Sequence, residues 1–330
     1  MTEVVPTRTT LRPAFSLRSG VLTGIDSIMP VATVALMIFF AANKSSFLTT
    51  DNLLLVALQS APLMVVAVGA ALLLMCGYID LSIGSVIAVS GVCAGLTFNA
   101  AGVTAGVLVG LGVGLAFGVV NGVLIGYLKL SPIIVTLGLL AAGRGLAQVL
   151  SPDALYGFPD PVLEFGNAKV FGVGTLVWIA GAVVVLGALL MTFLPVGRHI
   201  VAVGVNSRAS YLSGIPVRRL VFGLYVLVGL LSALAGLLIV SRLDSAPSGT
   251  LGAGFEISVL TAVLLGGIPY SGGSGHLWRV VLGVWLMGIL TNGITLMNVS
   301  SQLSQVLTGG VLVLAAALEG VRFWIHRSSR

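Results

Sequence analysis

The stretch LLLMCGYIDLSIGSVIAVSG, residues 72–91, sets one carboxylate, Asp80, and three serines inside an otherwise apolar run. Arg144 in TLGLLAAGRGLAQVL and Glu256 in GAGFEISVL are equally costly charges in apolar surroundings, and Gln59, Asn121, Gln148 and Asn292 add neutral amides. A carboxylate in such a place can relay protons or hold a cation, and amides can bond the hydroxyls of a solute that leaves water without charge neutralisation. Asp80 has no second acid or histidine beside it, so helix capping is the better reading. Asp80 or Ser82 would cap the helix that follows, and Gly77 and Gly84 would permit a bend. Arg144 and Glu256 are expected to pair with opposite charges on facing helices or to line a polar pathway. Gln59, Asn121, Arg144, Glu256 and Asn292 are the candidate translocation-path residues, the amides being equally suited to helix-to-helix bonds.

Enzyme signatures are missing. The three lysines follow Asn43, Leu128 and Ala168, so there is no Gly-Lys pair and no phosphate-cradling Gly-x-x-x-x-Gly-Lys loop. Neither His-Glu-x-x-His nor Gly-x-Ser-x-Gly occurs. Cys76 and Cys93 have no metal-ligand spacing to His199, His276 or His326 and read as small buried hydrophobes. The expectation is a chain with no catalytic site, metal or cofactor of its own.

Of the 330 residues, 57% are apolar and 8% charged, a balance that a water-soluble domain of this length could not carry without large exposed apolar patches. The chain reads as an all-α polytopic membrane protein. Ten runs approach the roughly 20 residues needed to span a bilayer: 26–42, 53–75, 84–100, 102–126, 131–150, 174–194, 219–240, 256–268, 278–297 and 303–321. The eighth is short and is followed by GGIPYSGGSG (266–275), which suggests a broken or re-entrant helix. A cleaved signal would have to use residues 28–42 behind an unusually long polar leader, so the first 25 residues read as a tail.

With both termini cytoplasmic, twelve Lys and Arg fall inside and three outside, with Arg144 within a span. That is the positive-inside pattern, and the net charge of +6 then reports topology and contact with anionic lipid, not a nucleic-acid surface. The resulting organisation is a tail at 1–25, a transmembrane domain at 26–321 and a tail at 322–330. An outer loop lies at 151–173 and a basic inner loop at 195–218.

Five spans precede the outer loop and five follow it, which forces the halves into opposite orientations, as in an inverted repeat. FGVVNGVLIG (117–126) and MGILTNGITLM (287–297) share an Asn-Gly pair at the same ordinal place. In the fourth span glycine recurs at 102, 106, 110, 114, 118, 122 and 126. Steps of four drift about 40° per step around an α-helix, so the bare stripe winds across the helix. Gly106, Gly110, Gly114, Gly118 and Gly122 read as a packing seam.

Five ordered motifs now carry a resemblance: GYIDLSIGSV (77–86), SPIIVTLGLLAAGRGLAQVLS (131–151), VGRHIVAVGVNSRASYLSGIPVRRL (196–220), GFEISVLTAVLLGGIPYSGGSG (254–275) and GILTNGI (288–294). Together they resemble the ribose, xylose and galactoside type permeases of bacterial ABC sugar importers, over about 51–318. Tyr78 departs from that pattern where a second glycine is usual, and Pro269 where a small hydroxylated residue is common. The resemblance implies an inner-membrane subunit that moves a monosaccharide or related solute. It implies a second permease copy, identical or paralogous, a cytoplasmic subunit that holds ATP and Mg, and a periplasmic solute-binding protein. It also implies that NSRASYLSGI (206–215) is the segment that couples to the ATPase. Ala209, Tyr211, Leu212 and Ile215 would form its apolar face and Arg208, Arg218 and Arg219 its polar rim. The alternative is an ion-coupled secondary transporter of a small polar solute, which would need titratable groups near the midplane.

Overall fold

The computed structural model describes residues 17–300 and some positions within 303–317, with side chains from Pro30 onward. Most of the expected tenth span, the tail at 322–330 and the first sixteen residues of the tail at 1–25 lie outside the described residues. Twelve α-helices run through the rest: α1 Leu17–Asn43, α2 Thr50–Met75, α3 Ile83–Ala101, α4 Val103–Asn121, α5 Pro132–Leu150, α6 Asp160–Asn167, α7 Thr175–Phe193, α8 Pro195–Val205, α9 Ser207–Leu212, α10 Val217–Leu243, α11 Phe255–Leu265 and α12 Leu277–Leu296. The end of α4 widens into a π-helical turn, Gly122–Tyr127. Strands are confined to two-residue pieces: β1 Leu155–Tyr156, β2 Lys169–Val170, β3 Val173–Gly174 and β4 Ser245–Ala246. An all-helical polytopic membrane protein is what these elements make, because a bilayer offers no water to backbone groups left unpaired.

Among the described residues seven helices are long and apolar enough to cross a membrane: α2, α3, α4 with its π turn, α5, α7, α10 and α12. The first expected span has a shorter apolar stretch, Pro30–Asn43, and the eighth is α11, at 11 residues. The expected outer loop is built rather than loose. β1 pairs antiparallel with β4, matching Leu155 to Ala246, β2 and β3 form a hairpin, and Phe158 packs edge-on against Phe98 of α3.

Packing partners are exchanged between the halves. Helix α10 packs on α3 and α4, while α2 packs on α11 and α12; α3 also packs on α4, and α11 on α12. A two-fold relating α2 to α10, α3 to α11 and α4 to α12 generates this exchange. The outer pair departs from it: α1 lies on α12, whereas α7 lies on α2.

The glycine row of α4 faces these partners in turn. A Cβ on Gly106 would meet Phe98 of α3, one on Gly110 would lie 3.0 Å from Leu237 and 3.2 Å from Ala94, and one on Gly118 would lie 2.7 Å from Tyr225 O. The contact therefore passes from α3 to α10 along the helix, as a winding stripe must. Gly229 of α10 answers with its own bare backbone, where a Cβ would lie 2.9 Å from Gly118. A Cβ on Gly112, off the stripe, would meet no neighbour within 4 Å.

Gly114→Val is accordingly expected to cost about 1–3 kcal/mol, and Gly112→Val less than about 0.5 kcal/mol. Thermal unfolding in detergent, followed with a thiol-reactive dye at buried Cys76, separates the two.

Candidate functional site

Helix α2 ends inside the bundle. Gly77 adopts a left-handed φ of 83°, its N–H donates to Leu74 O at 2.9 Å, and Tyr78 N–H donates to Leu73 O at 3.1 Å, which closes the helix end with a Schellman turn. The chain then turns through Asp80. Its Oδ1 accepts from Ser82 N–H at 2.8 Å and from Ser82 Oγ at 2.5 Å, and its Oδ2 accepts from Asn121 Nδ2 at 3.4 Å. Asn121 Nδ2 also donates to Ser82 Oγ at 2.9 Å, and Tyr225 OH donates to Ile79 O at 2.8 Å. Tyr78, the departure noted in the sequence, stands edge-on to Tyr225 with ring centroids 6.5 Å apart.

All of Asp80, Ser82, Asn121 and Tyr225 are buried. Tyr225 sits eight residues into α10, about 12 Å along its axis, so the break lies within the bundle and not at its end. Asp80 holds the turn that starts α3, but Gly84 does not bend the chain: it lies in regular helix within α3. Its missing side chain instead admits a second break.

That second break is the segment 247–254, which runs from β4 back into the bundle before α11 begins. Leu251 N–H donates to Pro247 O at 2.8 Å to form the turn, and the Leu251 side chain seats on Gly91. A Cβ on Gly252 would lie 2.6 Å from Gly84 O, and one on Gly84 would lie 2.5 Å from Gly252 O. The two breaks touch backbone to backbone. Arg144 of α5 reaches the same point, its Nη1 donating to Leu251 O at 2.5 Å. Glu256, in the first turn of α11, arrives from the other side, and both its Oε2 and Arg144 Nη2 abut the bare face of Gly84. Arg144 and Glu256 thus face each other, as a pairing would require. Nevertheless no hydrogen bond joins them, and Arg144 Nη2 and Glu256 Oε2 are both buried without a partner.

The remaining path candidates scatter. Gln59 is exposed on α2, and Asn292 is buried in the contact of α12 with α2. There Asn292 and Asn52 exchange amide hydrogen bonds at 3.0 and 3.1 Å, so Asn292 serves the helix contact and is not turned to a solute. Asn121 likewise spends its amide nitrogen on Asp80 and Ser82.

On the far side of the polar cluster lie α8 and α9. Asn206 caps α9, its Oδ1 accepting from Ala209 N–H at 2.9 Å. Tyr211 is 66% exposed and Leu212 77%, with Ala209, Arg208, Arg218 and Arg219 also exposed. Ile215 departs from the expected face and packs half-buried on the core. Val205, at the end of α8 just ahead of the cap, is 71% exposed as well. The signal was present. Val205 precedes the cap, and the position it would staple to is Ser210, which offers no apolar side chain. Helix α8 is also fixed to the first break: a Cβ on Gly204 would strike Met75 O and Gly273 N.

These features sit in a recognised frame. The family model described as branched-chain amino acid transport system / permease component matches residues 52–316. The chain belongs to this family. The permease is 34% identical over 297 residues to the L-arabinose transport system permease protein of Escherichia coli (strain K12), covering 89% of each chain. It is 32% identical over 298 residues to the ribose import permease protein of the same strain, covering 88% of this chain and 92% of that one. It is 33% identical over 312 residues to the autoinducer 2 import system permease protein of Yersinia pseudotuberculosis serotype O:1b (strain IP 31758), covering 92% and 93%. No solved structure matches the chain. The resemblance carried by the five motifs is borne out.

Asp80→Ala removes the acceptor of three hydrogen bonds and leaves Ser82 N–H buried, so it is expected to cost about 2–3 kcal/mol, against about 1 kcal/mol for Tyr225→Phe. Melting of the purified variants checks the order; equal stability of the two would contradict the reading of Asp80 as the cap of this turn.

Proposed function

We propose that this chain is the membrane permease subunit of an ABC importer that carries a monosaccharide or a related hydroxylated solute inward. The observation that carries the reading is the exposed apolar pair Tyr211 and Leu212 on α9, with Arg208 on the same helix and Arg218 and Arg219 exposed at the start of α10, on an otherwise apolar bundle. Apolar side chains in such a rim of cations suit a groove on a partner protein better than open water. The relatives named for arabinose, ribose and autoinducer 2 supply the class of cargo.

In this reading α8 and α9 lie on the cytoplasmic side and dock on an ATPase subunit, which holds ATP and Mg. Both termini are cytoplasmic, a periplasmic binding protein delivers the solute, and a second copy of this chain or a paralogue completes the path in the inner membrane. Movement of the docked helices reaches the interior through a short mechanical route. Gly204 lies bare against Met75 and Gly273, Met75 O accepts from Gly273 N–H at 2.8 Å, and Met75 ends the helix whose next residues hold Asp80. A push on α8 is thus a push on the first break, and the two arrangements of the bundle can be selected from outside it.

The ion-coupled alternative asks Asp80 to titrate in a relay, but its oxygens are engaged by Ser82 and Asn121. The test is Leu212→Asp. Leu212 is exposed, so the bundle should melt unchanged, while co-purification of the ATPase and ATP-driven uptake fall at least about ten-fold, the loss of one desolvated apolar anchor worth about 1.4 kcal/mol or more. Unchanged uptake would refute the docking assignment.

A further inference from the structure

We propose that Arg144 and Glu256, facing each other across Gly84, form a binding station for one hydroxyl group of the transported solute, an assignment that rests on the transport reading above. Three observations carry it. First, Arg144 Nη2 and Glu256 Oε2 are buried and unpartnered, yet both abut the same bare face of Gly84 without bonding each other. A buried donor and acceptor of opposite charge, left apart, are costly unless an oxygen stands between them. A hydroxyl satisfies both at once, accepting from the guanidinium and donating to the carboxylate.

Second, the pair is held in place. Arg144 Nη1 is engaged by Leu251 O at 2.5 Å, which fixes the guanidinium, and the mutual approach of Gly84 and Gly252 sets the spacing of the helices that carry the two groups. A Cβ on Gly84 would strike Glu256 Oε2 and lie 3.0 Å from Arg144 Nη2, so only a glycine lets both groups share this face. Third, the place adjoins an accessible face. Ala141, Gly145 and Gln148 of α5 and Ala253, Gly254 and Ile257 beside Glu256 are all exposed, small or polar except the last, so a solute can come alongside. An uncharged, hydroxylated solute is the class the station admits.

Two readouts keep the station and the transport reading apart. In the detergent-solubilised complex, a hydrophobic carbodiimide labels Glu256, read by mass spectrometry of its peptide, with and without 100 mM ribose or 100 mM L-arabinose (roughly saturating for a millimolar site). At least one sugar is expected to slow labelling two-fold or more in wild type and not in Arg144→Lys. In vesicles with ATP, Glu256→Gln, Arg144→Lys and Gly84→Ala are each expected to lower uptake of that sugar ten-fold or more per folded complex, and the Arg144→Lys/Glu256→Gln double variant no further than either single one. Wild-type uptake of ribose or L-arabinose without protection of Glu256, or with unchanged uptake in the variants, would overturn the station and leave the transport reading standing. ATP hydrolysis by wild type without uptake of ribose, L-arabinose or any other member of a panel of pentoses and hexoses would overturn the sugar reading, and the station with it.

Discussion

The approach of Gly84 and Gly252 governs the interior of this protein. Two chain breaks enter an apolar bundle, one between α2 and α3 and one between β4 and α11, and each brings backbone polar groups to a depth where lipid and water are both absent. They are tolerated because they meet each other and are closed locally. A Schellman turn and Asp80 satisfy the first, a turn on Pro247 O and the guanidinium of Arg144 satisfy the second, and neither glycine carries a side chain to force them apart. A bulky residue at either position would separate α3 from α11 and part the half-buried Arg144 and Glu256 from the glycine face that they share.

Around that contact the helices are arranged by small residues. With lipid tails as apolar as leucine, association in a membrane draws on close packing, and the row on α4 lets two backbones approach where larger side chains would hold them off. The exchange of partners between the halves follows: α10 serves α3 and α4 as α2 serves α11 and α12. Each long central helix therefore belongs to the other half's pair, and the two breaks are brought to the middle from opposite ends. The Asn52 and Asn292 amides lock the second of these crossings, and the Asp80, Ser82 and Asn121 cluster the first.

Much of this was legible in the sequence, and what was not has physical causes. The spans, the glycine stripe and the inner loop follow from composition and periodicity, which depend on neighbours a few residues away. The short eighth span announced itself by its length, and Asp80 by its cost. Depth was not legible. Nothing in GYIDLSIGSV distinguishes a turn at the membrane surface from one inside the bundle, since that is decided by Tyr225 and Asn121, 146 and 41 residues away. Asn292 looked available because its partner, Asn52, lies 240 residues earlier. The packing of Ile215 on the core had the same kind of origin: it is decided by contacts with residues distant in the chain.

The central claim is that this bundle does no work alone and is driven through α8 and α9 by a partner that hydrolyses ATP. The most direct measurement is uptake of labelled ribose and L-arabinose into vesicles holding the permease with or without its co-purifying subunits, with ionophores present to collapse proton and sodium gradients. Uptake that requires both the partner and ATP, and is indifferent to the ionophores, is the predicted result. Uptake by the permease alone that follows an imposed proton gradient and ignores ATP would contradict it.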